Sequence, residues 1–311
     1  MRYLIIFGIA LVLNSCKNDA TKSFNLNDYA VNDTVIFVYD GFNYQLKLWL
    51  TKENNFRYGY FTRGCMGGGE MEIVWGKYVQ NGTKLTLMPD SLSFVDFPFN
   101  CHDSVSKVLR LKYGIDSLKI KTEYDIIQWK NTLYLISPQK DREFRTHSTL
   151  FLIGFDIDSV FNERTDYHEF AHYYNSGLEP KEGRYLTLTI NNIDTSTCPP
   201  LDISQIPNEW KHLFLEKPIE ATIMDITTGH IKYENDDYGW ILSIQEDEDN
   251  GYIYKLVLDK GKKDNIRIGL VFYDKMGEKY VKIIDVEEDK SVGATIDKFS
   301  KGEKIRTNRK E

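Results

Sequence analysis

The chain has 311 residues, with 39 Lys and Arg against 46 Asp and Glu, for a formal charge of −7. An apolar share of 41% can fill a core, which excludes a largely disordered chain. A net acidic, charge-mixed sequence lacks the basic face of a general nucleic-acid binder, so no nucleic-acid partner is expected. Aromatics at 14% favour strands over helices.

Arg2 is followed by an apolar run from Tyr3 to Leu13. That run falls short of the roughly 20 residues a membrane-spanning helix needs. A charged start and a short apolar core read as a secretory signal peptide over residues 1–15. The run ends in Leu13-Asn14-Ser15-Cys16. This resembles the lipobox of bacterial envelope lipoproteins, with Asn14 where Ala, Ser or Thr is more usual. The resemblance implies that Cys16 is lipidated, carrying palmitate-type chains, and that the protein reaches the membrane through this lipid. In that family Lys17, standing where an Asp would retain the protein at the inner membrane, implies sorting to the outer membrane. Lys17-Asn18-Asp19 is similar to the export signal of Bacteroidota-type lipoproteins, which leaves the periplasmic face and the cell surface both open. Residues 16–32 read as a lipidated tether, polar from Asn18 to Asn27.

Residues 33–155 read as an N-terminal β domain. Strands are expected at Thr34–Tyr39, Tyr44–Thr51, Asn55–Thr62, Met71–Val79, Lys84–Met88, Leu118–Thr122, Asp125–Trp129 and Leu133–Ile136. Asp40-Gly41 and Asn81-Gly82 are hairpin signals. The pattern fits a small antiparallel barrel or sandwich. The stretch from Trp75 to Leu87 resembles the meander of small envelope lipoproteins with lipocalin-like barrels, which implies a small-ligand carrier as one reading.

Residues 156–218 read as a helical connector. On a helical wheel Val160, Tyr167, Ala171 and Tyr174 form one apolar stripe with Phe170 at its edge, and Asn175-Ser176-Gly177 ends the helix. A strand follows at Arg184–Ile190, then a short helix from Pro207 to Leu215. Residues 219–308 turn β-rich again, with strands near Ala221–Thr227, Gly239–Ile244, Tyr252–Leu258, Leu270–Tyr273, Tyr280–Val286 and Gly293–Ile296. The passage from Leu258 to Phe272 resembles a module of small β-barrels in cell-envelope proteins, the rod-shape-determining family among them. In this reading Gly261 and Gly269 take positive φ, and Asn265 stands where Gly is usual. The expected fold is mainly β with a minor helical connector: two small antiparallel barrel or sandwich domains.

His168-Glu169-Phe170-Ala171-His172 carries the sharpest chemistry. Histidines at i and i+4 share a helix face and can hold one Zn²⁺, with Glu169 activating the bound water of a zinc-dependent metallopeptidase. A third protein ligand is required. Glu179, Glu182 and Asp194 are the nearby acids, and none sits in a second motif. The wheel places both histidines toward Thr165 and Glu169, on the solvent flank away from the stripe. The expectation is therefore no catalytic residue and no cofactor, with zinc at His168 and His172 as the alternative. Cys65, Cys101 and Cys198 are left after the anchor, and Cys65 and Cys101, in one domain, are the candidate disulfide. The glycines at 67–69 read as a turn or bulge, and Glu246-Asp247-Glu248-Asp249 as a solvated hairpin tip.

Five sites fit Asp-(Ser/Thr)-aliphatic, at Thr34, Ser91, Ser104, Ser117 and Ser159. The pattern is similar to the O-glycosylation site of the same bacterial group, and it equally fits turn chemistry entering a strand. Taken together, the sequence leads to an outer-membrane-anchored lipoprotein with a non-enzymatic binding or envelope-organising role. Its expected partners are envelope proteins or glycans.

Overall fold

The computed structural model of the chain describes residues 24–41, 43–62, 69–97, 109–111, 121–138, 166–180, 185–191, 200–230 and 252–309. The first part holds β1 (Thr34–Asp40), β2 (Tyr44–Thr51), β3 (Asn55–Thr62), β4 (Gly69–Asn81), β5 (Lys84–Phe97), β6 (Leu109–Leu111), β7 (Glu123–Trp129), β8 (Thr132–Ile136) and β9 (Leu186–Thr189). Strands β1 to β5 pair each with the next, β5 continues to β7, β8 and β9, and β9 returns to β1. This closes an up-and-down antiparallel barrel, with β6 hanging on β5.

Alternation explains why it closes. Val35 and Phe37, Leu48 and Leu50, Phe56 and Tyr58, Leu133 and Leu135 point to one side and form a single buried cluster. Eight strands enclose a space just wide enough for side chains to fill. Leu26 completes the filling from outside the strands. It sits fully buried in the short 3₁₀ turn Leu26–Tyr29. Its N–H donates to Gln80 Oε1 at 3.1 Å, and Gln80 Nε2 donates to the Phe24 carbonyl at 3.0 Å. Among the described residues the packing onto the barrel thus reaches back to Phe24, inside the stretch read as tether to residue 32. A single leucine in a polar segment gave no periodic signal.

Strand β5 runs well past the expected end at Met88. Pro89 pairs with Gly76 and Ser91 with Trp75, so Asp90 is the extra residue of a bulge. The bulge carries the strand past a proline that cannot donate to the ladder. The expected strand at Leu118–Thr122 falls mostly outside the described residues, and Lys121 and Thr122 lie just before β7. The glycines at 67 and 68, the expected strand Gly239–Ile244 and the acid run from Glu246 also lie outside them.

The C-terminal part holds β10 (Glu220–His230), β11 (Tyr252–Leu258), β12 (Val271–Tyr273), β13 (Tyr280–Val286), β14 (Ser291–Thr295) and β15 (Lys304–Arg306). Their order is β10-β11-β14-β13-β12-β15, and β15 closes a second barrel by pairing back to β10. Ile223, Leu256, Leu258, Phe272, Val281, Ile283 and Ile305 fill it. The architecture is mainly β, with two closed antiparallel barrels and a minor helical part. No helix among the described residues is long and apolar enough to cross a membrane.

One glycine expectation needs correcting. Gly269 has φ 87° and Asn265 sits at φ 64° in the left-handed region, as expected. Gly261 is extended, with φ −137°. Its need for no side chain is steric. A Cβ there would lie 2.6 Å from Asp289 N, Glu287 O and the Glu288 carbonyl carbon. Lys262 and Lys263 donate to the Glu287 and Glu288 carbonyls, which clamps this loop onto the β13–β14 turn. Asp264 accepts from Gly261 N at 3.2 Å, and that bond holds its carboxyl below the usual range. Gly261→Ala is expected to lower stability by about 1–3 kcal/mol, since the colliding atoms are backbone. Chemical denaturation followed on the C-terminal barrel checks this, and an unchanged midpoint would refute the clamp.

Candidate functional site

The helix α1 (Asp166–Asn175) carries the His-Glu-x-x-His motif. The Asp166 carboxylate accepts from Ser137 N at 3.3 Å and from the Ser137 hydroxyl, and Tyr185 OH donates to the Asp166 carbonyl at 2.6 Å. At the other end Leu178 N donates to Tyr173 O and Gly177 N to Tyr174 O, the paired bonds of a Schellman stop. Gly177 supplies the left-handed residue at φ 67°.

The apolar stripe falls where the wheel put it. Tyr167, Phe170 and Ala171 are buried against Ile127, Trp129, Tyr134 and Ile136, which point outward from β7 and β8. Tyr174 packs at the margin, and Val160 lies outside the described residues. Phe170, expected at the edge, is fully buried.

The flank of the histidines is the correction. His168 is 5% exposed, not on a solvent face. Trp210 from the connector covers it, with ring centroids 5.8 Å apart and planes at 88°. The same indole stacks on Tyr167 at 5.1 Å. His172 meets the second barrel: Tyr273 OH lies 3.3 Å from its Nε2 and accepts from Ser176 Oγ at 3.4 Å. Arg309 N donates to the Ser176 carbonyl at 3.0 Å. The helix is therefore buried on two sides, and the second side is polar. A wheel that scores only apolar residues cannot find such a face.

A crevice of about 30 Å³ lies between α1 and the loop before β12. Its walls include His168, His172, Asn175, Ser176, Arg267 and Gly269. It has room for a water or two, far below the several hundred Å³ of a substrate pocket. Burial pushes the Arg267 guanidinium below its ordinary value and the Tyr273 phenol above its own, with Ser176 and the Arg309 charge opposing the latter. Tyr273, Trp210 and Arg267 were not singled out in the sequence, because each comes from a segment remote from the motif.

The fit to zinc is incomplete. Among the described residues no group of three His, Cys, Asp or Glu side chains comes together. Glu169 is half-buried on the same helix, and Glu179 forms an ion pair with Lys130. Glu182 and Asp194 lie outside the described residues. Outside them too are Cys16, Cys65, Cys101, Cys198, Ser104, Ser117 and Ser159. Of the candidate glycosylation sites, Thr34 opens β1, is half-buried and pairs in register with Thr51. Ser91 is exposed beside the β5 bulge, its hydroxyl donating to Asp90 Oδ1 at 2.7 Å.

Beneath α1, Asp125 on β7 is buried. Burial pushes its carboxyl above the usual range; the Tyr167 hydroxyl opposes this, although it stops short of hydrogen-bond distance. A folded pKa above the unfolded one means that the fold favours the neutral acid. That stability is fully present below the unfolded pKa and is lost as pH rises through the folded one. Asp125→Asn is thus expected to raise the melting temperature at neutral pH and to leave it unchanged in acid. Thermal melts across that range check it, and an equal shift at both ends would exclude the titration as cause.

No family model, curated protein or solved structure matches the chain.

Proposed function

We propose that the chain is a lipoprotein of the bacterial cell envelope, anchored at the outer membrane through Cys16, with a non-enzymatic binding or envelope-organising role. The observation that carries this reading is the filling of both barrels by their own apolar side chains. With the interiors occupied, recognition falls to the outer faces. The crevice beside His168 and His172 is water-sized, and both histidines are held by aromatic neighbours from other segments. The same filling leaves the lipocalin-like carrier with less support than the binder.

The anchor reading fits the packing of the N-terminal segment. Cys16 and Phe24, the first of the described residues packed on the barrel, are eight residue steps apart. Fully extended they span at most about 28 Å, which keeps the barrel close to the membrane surface.

Three measurements test the proposal. Mass spectrometry of the mature protein is expected to find an acylated Cys16 as the first residue, and an unmodified start removes the anchor. The full chain in detergent is expected to bind isolated outer-membrane material saturably, and absence of any saturable binding removes the binder. Purified protein is expected to carry zinc well below one equivalent, unchanged by His168→Ala. A full equivalent that this substitution abolishes would move the assignment to the metallopeptidase.

A further inference from the structure

Strand alternation fixes what the first barrel shows to solvent. Val35, Phe37, Leu48, Leu50, Phe56, Tyr58, Val74 and Leu92 point inward, so the residues between them point out. Register then places five outward residues in one row across neighbouring strands. Ile36 pairs with Trp49, Trp49 with Arg57, Arg57 with Trp75, and Trp75 with Ser91. Ile36 is 40% exposed and Trp75 37%.

Trp49 rests across Gly59 of the adjacent strand, where a Cβ would come within 3.2 Å of its ring and 2.6 Å of the Phe61 ring. The Arg57 guanidinium sits 4.9 Å from the Trp49 ring centroid. Trp75 stands on the other side of Arg57, so the two tryptophans sit on strands two apart, with backbones roughly 10 Å from each other by the usual strand spacing.

Charge separates this face from the rest of an acidic chain. The rows beside it bring Lys47, which pairs with Val38 and Gly59, and Lys77, which pairs with Asn55 and Met88. Two acids border it: Asp90, the bulged residue, accepts from Ser91, and Asp40, two residues along β1 from Val38, accepts from Gln45. Among the described residues Lys47, Arg57 and Lys77 have no carboxylate partner. Three unpaired cations around two planar apolar rings call for a ligand that offers both anions and flat apolar faces. A pyranose ring has an axial C–H face that stacks on an indole, and a uronic acid adds a carboxylate at its edge. A membrane surface fits less well, because Trp49 is held against Gly59 and under the Arg57 guanidinium where insertion needs a protruding ring.

We propose that the outward row Trp49–Arg57–Trp75 binds a strand of acidic, uronate-bearing polysaccharide, a sugar stacked on the exposed Trp75 and its carboxylates paired with the flanking lysines and with Arg57, which Trp49 holds in place. This rests on the binding role proposed above and names its partner class.

The test is calorimetric titration of the full chain in detergent with hexagalacturonate, with cellohexaose as the neutral control. Saturable binding of the acidic hexamer is expected, at least about tenfold tighter than of the neutral one and weakened by salt. Trp75→Ala and Arg57→Gln are each expected to weaken it about tenfold, and Trp75→Tyr to keep most of it. Circular dichroism should show all three variants folded, since their side chains point to solvent. Equal affinity for the two hexamers, or binding that both Trp75→Ala and Arg57→Gln leave unchanged, would overturn the proposal. So would a preference for phosphatidylglycerol vesicles over hexagalacturonate, which would make the face a membrane contact. If outer-membrane material binds and hexagalacturonate does not, this inference falls and the binding role stands. If neither binds, both fall.

Discussion

Phe170 is the point on which the two barrels depend. Its ring is fully buried, with Trp129, Tyr134, Tyr185 and Phe214 around it at centroid distances from 5.4 to 6.3 Å. All four approach edge-on, the arrangement that the ring quadrupole favours by about 0.5–1.5 kcal/mol per pair beyond burial. The partners come from β7, β8, the start of β9 and the connector. One side chain therefore ties the outer wall of the first barrel to the segment leading into the second. Asn175 extends the tie with two bonds. Its Nδ2 donates to the Leu213 carbonyl at 2.9 Å, and its Oδ1 accepts from Leu215 N at 2.8 Å.

With Phe170 fixed, the opposite side of α1 has little freedom. Gly177 lies so close to Asn308 that a Cβ would meet its Oδ1 at 2.5 Å. Ser176 holds Arg309 N through its carbonyl and Tyr273 through its hydroxyl. The polar side of the helix is thus spent on fixing the second barrel, and His172 shares that task. This is the physical reason to read the His-Glu-x-x-His pattern as a structural joint. Two imidazoles at i and i+4 suit zinc, but here His168 is buried under an indole and His172, half-buried, lies against a phenol.

The strands were legible and the joint was not, for one reason. A filled barrel imposes strict alternation, so Tyr44–Thr51 and Asn55–Thr62 could be bounded to the residue. Beyond Met88 the alternation is broken by Pro89 and Asp90, and a reading based on period two stopped there although the strand continues. The three-residue strands β6 and β15 are too short to carry any period. Gly261 was assigned to a loop turn, yet its reason is an approach between loops distant in sequence. The burial of His168 follows from Trp210, more than forty positions away, and nothing local announces it. Local pattern reads what local geometry dictates, and the joint is made by non-local contacts.

That division also locates function. The interior positions are committed to packing, and some of the buried polar groups close turns: Asp274 accepts from Glu278 N and Lys279 N, and Thr295 Oγ1 accepts from Asp297 N. What remains for recognition is the outward half of each strand, and there β1 to β5 differ from the rest. The bulge at Asp90 matters for this face as well as for the strand. The extra residue lets Leu92 regain the interior and leaves Ser91 outward, opposite Trp75. The candidate glycosylation residue and the end of the aromatic row therefore share one patch of surface. A glycan attached at Ser91 would cover Trp75, so modification there and binding along the row would compete for the same indole.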